Sequence, residues 1–312
     1  MMNPTAVTVR AACADSPFDL TNTESYQAWR AHKLGAYPDS SEPVVVEIKD
    51  SRALDSAELD AVHQALCRAN FVVYRLTGTT ADKASVLQLG RQLGLQHLDG
   101  NLCSDDDRVS SIRVVEKRAV GEYIPYTDKA LNWHTDGYYN TLQRQIRGVV
   151  LHCAQPAAEG GENSLLDHEI AYIQLRDENP GFIAALMAQD AMSIPANIRN
   201  GEELRPFQSG PVFSVDATGH LHMRYSARSR NIVWKQDCVT QAAAECLLNL
   251  FRSDSPYIFC YRLEAGEGLI SNNVLHARAA FRDEAGQQRL LYRARYFDRI
   301  TDIRENEHAE SK

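Results

Sequence analysis

Short apolar runs separated by polar loops recur along the chain, and most of them are too short to form helices. Their β-branched and aromatic residues are typical of strands. The sequence Asp-Ala-Thr-Gly at 216–219 separates two such runs and predicts a hairpin. The predicted strands span 44–48, 71–74, 110–115, 148–152, 212–215, 220–225, 258–262, 269–270, 274–276 and 289–297.

Apolar residues at helical spacing predict a smaller set of helices. Leu59, Val62 and Leu66 share one face of the segment 54–69, which Ser56 is positioned to cap. Similar patterns predict helices at 81–93, 168–176, 180–189 and 239–252, and a short helix near 25–32. Strands outnumber helices in the second half, and the helices form separable insertions. The pattern favours a mainly β protein with a closed or sandwiched β-core and helices packed outside it.

Length and local composition set the predicted domain limits. The polar residues 1–43 predict an irregular N-terminal arm, and residues 299–312 a charged C-terminal tail. Between them, residues 44–298 are long enough for one large β-rich domain.

Composition narrows the classes of function. A net charge of −8 argues against nonspecific nucleic-acid binding, which depends on phosphate neutralisation. The chain has no run of 18 apolar residues and no signal-peptide core, so we expect neither a membrane partner nor export. Seven cysteines without a Cys-x-x-Cys pair indicate reduced thiols. We therefore expect a cytoplasmic protein, either monomeric or homo-oligomeric, that acts on a small molecule. The lack of a glycine-rich phosphate-binding loop argues against a nucleotide enzyme.

A His-x-Asp pair, His134 and Asp136, is the strongest candidate for chemistry. In an extended segment these side chains point to the same face, with Cα atoms roughly 6–7 Å apart. His276 is the best candidate for a third ligand. Two histidines and one carboxylate on one face of a metal, with the other positions open, form the arrangement of non-haem Fe(II) oxygenases.

Three arginines, Arg289, Arg293 and Arg295, fall on one face of the last predicted strand. Arg289 and Arg293 lie about 13 Å apart at strand spacing, so they suit two different anionic groups better than one. The alternative is a solvated basic face. The apolar Leu291 and Phe297 on the same face favour the binding interpretation.

Other histidines are interpreted structurally. His220 and His222 have a ligand-like spacing, but Arg224 on the same face would repel a cation. His152, in an apolar run, is expected to be a hydrogen-bonded core histidine.

Four motifs occur in the order and approximate spacing of one enzyme family: 133–136 (Trp-His-Thr-Asp), 160–163 (Gly-Gly-Glu-Asn), 273–278 (Asn-Val-Leu-His-Ala-Arg) and 289–293 (Arg-Leu-Leu-Tyr-Arg). Over residues 44–298 the chain resembles the TauD/TfdA family of Fe(II)/2-oxoglutarate-dependent dioxygenases, and it is also similar to γ-butyrobetaine hydroxylase. The resemblance implies a double-stranded β-helix (jelly-roll) core with helical insertions. It also implies that Fe(II) is the metal and that 2-oxoglutarate and O₂ are cosubstrates.

The resemblance also implies roles for individual residues. His134, Asp136 and His276 would bind the iron, and Arg289 would hold the C5 carboxylate of 2-oxoglutarate. Asn163 stands where taurine dioxygenase-like members have a threonine that contacts the same carboxylate, and an amide can replace that donor. Arg293 matches a position that binds the substrate anion.

The expected reaction is hydroxylation of a small carboxylate, sulfonate or betaine-like substrate, with release of succinate and CO₂. Tyr138, Tyr139 and Tyr126 are candidates to line the substrate pocket, where aromatic rings could hold a quaternary ammonium group. Two alternatives stay open: a metal-binding jelly roll without turnover, and a Zn²⁺ or Mn²⁺ hydrolase or isomerase that uses the same three ligands. A carboxylate-binding Arg289 would distinguish the dioxygenase from both.

Overall fold

Two facing β-sheets organise the protein in a computed structural model that describes residues 16–40, 43–78, 81–100, 105–115, 123–228 and 230–301. The strands are β1 (Val45–Ile48), β2 (Phe71–Leu76), β3 (Ser110–Ile112), β4 (Leu131–His134), β5 (Gly148–Gln155), β6 (Glu159–Gly160), β7 (Asn163–Leu166), β8 (Met192–Ile194), β9 (Asn197–Arg199), β10 (Glu202–Arg205), β11 (Gln208–Gly210), β12 (Phe213–Val215), β13 (Leu221–Met223), β14 (Val233–Trp234), β15 (Phe259–Tyr261), β16 (Glu267–Ser271), β17 (Leu275–Arg278), β18 (Phe281–Arg282) and β19 (Leu290–Tyr296). The helices are α1 (Thr23–Ala36), α2 (Ser56–Ala69), α3 (Lys83–Gln92), α4 (His168–Glu178), α5 (Pro180–Leu186) and α6 (Cys238–Arg252).

The larger sheet has the order β1-β2-β16-β5-β19-β3, and the smaller one has the order β15-β7-β17-β4. All neighbours in both sheets are antiparallel except β1 and β2, a parallel pair connected through α2. This arrangement confirms the predicted mainly β jelly-roll core flanked by helices.

The alternation of side chains along β2 explains how one sheet supports two cores. Phe71 and Val73 belong to an apolar cluster between the sheets, together with Leu165 of the smaller sheet. Val72 and Tyr74 point to the other face and pack in a cluster with α2 and α3. Because both faces of the strand are buried, the run is apolar throughout.

A third apolar cluster lies where the helical insertions meet the smaller sheet. It joins Ile170 of α4 and Leu247 of α6 to Met192 of β8 and to Leu275 of β17. The cluster therefore connects β17, the strand that carries His276, to the insertion that contains β8 to β11.

The segment predicted as an irregular arm contains α1, which is longer than the helix predicted near 25–32. Tyr26 and Phe18 pack against Tyr172 of α4, and the buried Lys33 pairs with Asp167 at 2.6 Å. This packing stabilises the helix over Thr23–Ala36, so the predicted short helix is present and extends beyond 25–32 at both ends. Residues 1–15 and most of the predicted tail, 302–312, lie outside the described residues. The domain limits at 44 and 298 stay predictions.

Two other details differ from the sequence prediction. Asp55, not Ser56, caps α2, in a reciprocal capping box with Glu58. Strands β8 to β11 were not predicted, because each is only three or four residues long and β9 to β11 are mostly polar, so no strong apolar pattern marks them. Within the described residues, no helix has the length and apolar character needed to cross a membrane.

His152 is a buried core histidine, as predicted, with Nδ1 3.0 Å from the Tyr74 hydroxyl. Burial lowers the pKa of His152 to about 4. Between that pH and about 6.5 the unfolded chain binds a proton that the folded protein does not, so stability falls as pH decreases through this window.

Replacement of His152 is expected to reduce the acid sensitivity of the fold. At pH 5 the protonation of His152 in the unfolded chain should cost about 2 kcal/mol. Urea unfolding of the wild type and His152→Gln, each at pH 7.5 and pH 5, measures this contribution. The loss of unfolding free energy between the two pH values should be about 2 kcal/mol smaller in the variant. Equal losses would contradict the assignment.

Candidate metal centre

Two neighbouring strands bring the predicted ligands together. His276 on β17 is the direct cross-strand partner of His134 on β4, and their ring centroids are 4.2 Å apart. Asp136 follows β4 by two residues, so its carboxylate reaches the same point. One potential ligand atom from each of the three residues lies within 4.8 Å of the others. The predicted set is therefore assembled.

Both imidazoles are oriented by the backbone. His134 Nδ1 lies 2.9 Å from the Asn132 carbonyl, and His276 Nδ1 lies 3.0 Å from the Val274 carbonyl. A carbonyl oxygen only accepts, so each Nδ1 carries the proton and each Nε2 keeps a free lone pair. Burial lowers the pKa of both histidines, that of His134 to about 3. Both rings are thus neutral ligands at physiological pH.

The side chain of Asn273 holds the Asp136 segment. Its Oδ1 accepts from the Asp136 N–H at 2.7 Å, and its Nδ2 donates to the carbonyls of Asp136 at 2.9 Å and Ile146 at 2.6 Å. Asn273 has φ +54°, a left-handed conformation that asparagine tolerates better than most residues. Neither spacing nor composition in the sequence predicted this role for Asn273.

Two guanidinium groups meet the carboxylate of Asp136. Arg293 donates to it at 3.0 and 3.3 Å, and an Arg295 nitrogen lies 3.6 Å away. Burial raises the pKa of Asp136, but the two arginines more than offset this effect and keep its pKa below the usual range. Arg295 is itself held by Asp99 and by the Tyr139 hydroxyl. Asp136 is therefore ionised and fixed.

Arg289 faces a different environment on the same strand. Its side chain is buried, its Nη1 has no hydrogen-bond partner within the described residues, and its guanidinium carbon lies 4.9 Å from the Phe281 ring centroid. Burial and the neighbouring Arg278 lower the pKa of Arg289 to about 9. A buried cation without an acceptor indicates a site for an anionic ligand.

A small cavity, partly open to solvent, adjoins Arg289. Asn163, Cys153 and Gly161 also line it. At the neighbouring Gly160 the φ angle is +73°, and a Cβ atom would lie 2.4 Å from the Ala280 carbonyl oxygen. Only glycine fits there, which explains the Gly-Gly turn that positions Asn163 beside the cavity.

The interpretation of the last strand as a solvated basic face is wrong. Arg289, Arg293 and Arg295 are 6%, 11% and 3% exposed. As the strand spacing predicted, Arg289 and Arg293 contact different groups.

The tyrosines predicted to line a pocket are divided between two regions. The Tyr138 ring is perpendicular to the His134 ring at 6.4 Å and contacts the Tyr139 ring at 5.2 Å. Tyr126 instead packs in the cluster between the sheets. Arg278 holds this segment by donating to the carbonyls of Pro125 and Thr127 at 3.2 and 2.8 Å. Tyr126 thus lies apart from the other two tyrosines.

The donor set fits Fe(II). Two neutral imidazoles with free Nε2 atoms and one ionised carboxylate are the ligands of the 2-His-1-carboxylate centres, which leave further coordination positions open. Within the described residues no other group of at least three histidine, cysteine or acidic side chains has ligand atoms this close together.

Loss of the Asn273 side chain is expected to weaken Fe(II) binding by about 10- to 100-fold, because Asp136 would no longer be held in place. Anaerobic Fe(II) titration of Asn273→Ala and Asn273→Gly measures the effect. Glycine adopts positive φ without strain, so equal losses in the two variants assign the effect to the missing amide. An Fe(II) affinity unchanged in Asn273→Gly would contradict the positioning role.

Comparison with known proteins identifies the same family that the sequence motifs resemble. The model of the taurine catabolism dioxygenase TauD, TfdA family matches residues 31–295. Uridine-5'-phosphate dioxygenase from a Streptomyces species is 29% identical over 198 residues, covering 62% of this chain and 71% of the relative. The enzyme of that name from an Amycolatopsis species is 28% identical over 169 residues, which cover 53% of this chain and 60% of the relative. The chain thus matches about three fifths of the length of that relative.

In fold, the chain is similar to a taurine dioxygenase from Burkholderia xenovorans, with a TM-score of 0.56 and 20% identity over 86% of this chain and 90% of that chain. The family match covers most of the chain and includes all three candidate ligands. The chain therefore belongs to the TauD/TfdA family, whose dioxygenases depend on Fe(II) and 2-oxoglutarate.

Proposed function

We propose that this dioxygenase oxidises a C–H bond of a small anionic substrate and converts 2-oxoglutarate to succinate and CO₂. The observation that carries the proposal is the combination of two sites: the His134, Asp136 and His276 set, and the buried guanidinium of Arg289, whose Nη1 has no hydrogen-bond partner within the described residues and which lies beside a cavity. A metal site alone would fit many chemistries. A metal site with a separate carboxylate-binding cation fits a cosubstrate with a distal carboxylate.

Each group has a defined task. His134, Asp136 and His276 would hold Fe(II), and Arg289 with Asn163 would bind the C5 carboxylate of 2-oxoglutarate. When bound, the Fe(II) and 2-oxoglutarate pair supplies the oxidising power for C–H cleavage. The protein fixes the neutral histidines through backbone carbonyls and keeps Asp136 ionised through Arg293. Burial of His134 and Asp136, with His276 partly buried beside them, limits the access of water.

Arg293 is better suited to the metal site than to the substrate. Its Nη1 already donates to both oxygens of Asp136, and the side chain is only 11% exposed. A guanidinium in that position keeps Asp136 ionised and oriented. We therefore assign Arg293 to Asp136, in place of the substrate-binding role that the family resemblance implied.

The charge around Tyr138 and Tyr139 favours an anion over a betaine-like cation. Arg228 donates to the Tyr138 hydroxyl, and the Arg205 guanidinium lies 5.9 Å from the Tyr139 ring centroid. A quaternary ammonium group would be repelled there. The names of the two sequence relatives make a nucleoside 5'-phosphate the first candidate, although the chain has no glycine-rich phosphate loop. Side-chain cations would have to bind the phosphate instead.

Substrate-dependent succinate release tests the proposal. Protein reconstituted with Fe(II) is supplied with 2-oxoglutarate, O₂ and one of three candidates: uridine-5'-phosphate, L-asparagine or taurine. We expect one candidate to stimulate succinate formation with matching formation of oxidised product. Tight metal binding without 2-oxoglutarate binding would instead favour the hydrolase, isomerase or binding-protein alternatives.

Replacement of Arg289 should separate cosubstrate binding from metal binding. Arg289→Gln removes the charge that pairs with the C5 carboxylate, and a buried charge-assisted contact contributes about 1.5–3 kcal/mol. The KM for 2-oxoglutarate should therefore rise by about 10- to 100-fold, with unchanged Fe(II) affinity. Arg282→Gln, an exposed arginine seven residues earlier, is the matched control. An unchanged KM in Arg289→Gln would contradict the assignment.

A further inference from the structure

Two arginines near the metal centre have no acidic partner within the described residues and no other assigned role. Arg205, at the end of β10, and Arg228, beyond β13, make no ion pair with a carboxylate there, whereas Arg293 and Arg295 each pair with an aspartate. Both contact the tyrosine pair that follows the ligand Asp136. Arg293 pairs with Asp136, and Arg289 faces its own cavity. Arg205 and Arg228 are therefore additional cations, with no role in either of those sites.

Arg205 is partly buried without a counter-ion. Its guanidinium donates only to main-chain carbonyls, those of Pro195 at 2.8 Å and Pro206 at 3.4 Å. Burial lowers the pKa of Arg205, and the opposing influences come from the hydroxyls of Tyr138, Tyr139 and Tyr123 rather than from any carboxylate. A partly buried cation that lies 5.9 Å from the Tyr139 ring centroid and has no carboxylate partner within the described residues is suited to bind an anion.

Arg228 approaches the same tyrosine pair from β13. Its Nη1 donates to the Tyr138 hydroxyl at 3.3 Å, and the rest of the side chain is exposed. The Tyr138 ring contacts the His134 ring edge-on at 6.4 Å. Arg228 is therefore connected to His134 through the Tyr138 ring, and Arg205 through the rings of Tyr139 and Tyr138.

Arg224 fixes this arrangement. Its Nε donates to the Tyr138 carbonyl at 3.0 Å, and its two terminal nitrogens donate to the carbonyls of Met192 on β8 and Gly210 on β11. Strands β8 and β11 flank the hairpin that carries Arg205. The buried Arg224 thus holds the Arg205 hairpin and the Tyr138 segment in a fixed relation. Strand spacing predicted only that Arg224 would repel a cation from His220 and His222, and gave no sign of these carbonyl contacts.

We propose that Arg205 and Arg228 form the binding site for a phosphate monoester group of the substrate, with Tyr138 and Tyr139 packing against the adjoining part of the molecule. The proposal rests on the proposed function and specifies the substrate class. A phosphate monoester carries a charge of about −1.5 to −2 at neutral pH, which two guanidinium groups neutralise. A carboxylate or sulfonate would leave one positive charge uncompensated.

Binding of uridine-5'-phosphate and of uridine tests the proposal. Calorimetry is performed anaerobically on protein loaded with Fe(II) and 2-oxoglutarate. We expect the wild type to prefer the phosphate by at least about tenfold over the nucleoside. Arg205→Gln should weaken binding of uridine-5'-phosphate by about 10- to 100-fold, and Arg228→Gln by about threefold to tenfold because that side chain is exposed. The double variant should bind both compounds equally.

The position of the phosphate can be measured directly. High-spin Fe(II) should broaden the ³¹P signal of bound uridine-5'-phosphate relative to a Zn²⁺-loaded sample, because the site is adjacent to His134. Arg230→Gln, an exposed arginine two residues after Arg228, is the matched control and should leave both binding and broadening unchanged.

Several outcomes would overturn the proposal. One is a wild-type protein that binds neither uridine-5'-phosphate nor inorganic phosphate. Another is binding that Arg205→Gln leaves intact, or binding without ³¹P broadening. A dependence of taurine or L-asparagine binding on both arginines, without phosphate binding, would assign the site to a monoanion instead. Failure of the proposed function is a distinct result, since it would appear as loss of 2-oxoglutarate binding in the wild type and not as a change specific to Arg205 or Arg228.

Discussion

The antiparallel pairing of β4 with β17 is the constraint on which the rest of the site depends. It places His134 directly opposite His276, although the two residues are 142 positions apart in the sequence. A shift of one residue would turn one imidazole to the opposite face of the sheet. The register is secured on one side by β7, which pairs with β17, and at the strand end by Asn273, which bonds both backbone groups of Asp136.

The positive charge around the metal centre comes from several arginines, each of which faces a different group or cavity. On β19, Arg289 faces a cavity while Arg293 and Arg295 meet Asp136, so one strand carries both the proposed cosubstrate-binding residue and the arginines that contact the candidate metal ligand. The insertion from β8 to β11 adds Arg205, which Arg224 ties to the Tyr138 segment. The same type of core can therefore serve different substrates, because Arg205, one of the two cations proposed to select the substrate, comes from an insertion outside it.

The sequence predicted the parts of the site that depend on local spacing. His134 and Asp136 share a face through strand periodicity, and the buried face of β19 follows from Leu291 among the arginines. Contacts made across the fold could not be predicted in this way. The Arg293 contact with Asp136 depends on how the two sheets face each other, and α1 is stabilised mainly by tertiary packing that its weak apolar pattern does not indicate.

The central claim is that one centre binds Fe(II) through His134, Asp136 and His276, and binds 2-oxoglutarate beside it through Arg289. Anaerobic titration of the metal-free protein with Fe(II) and then 2-oxoglutarate tests it most directly. We expect a weak visible metal-to-ligand charge-transfer band that appears only when Fe(II) and 2-oxoglutarate are both present. Metal binding without that band would contradict the dioxygenase assignment of the site.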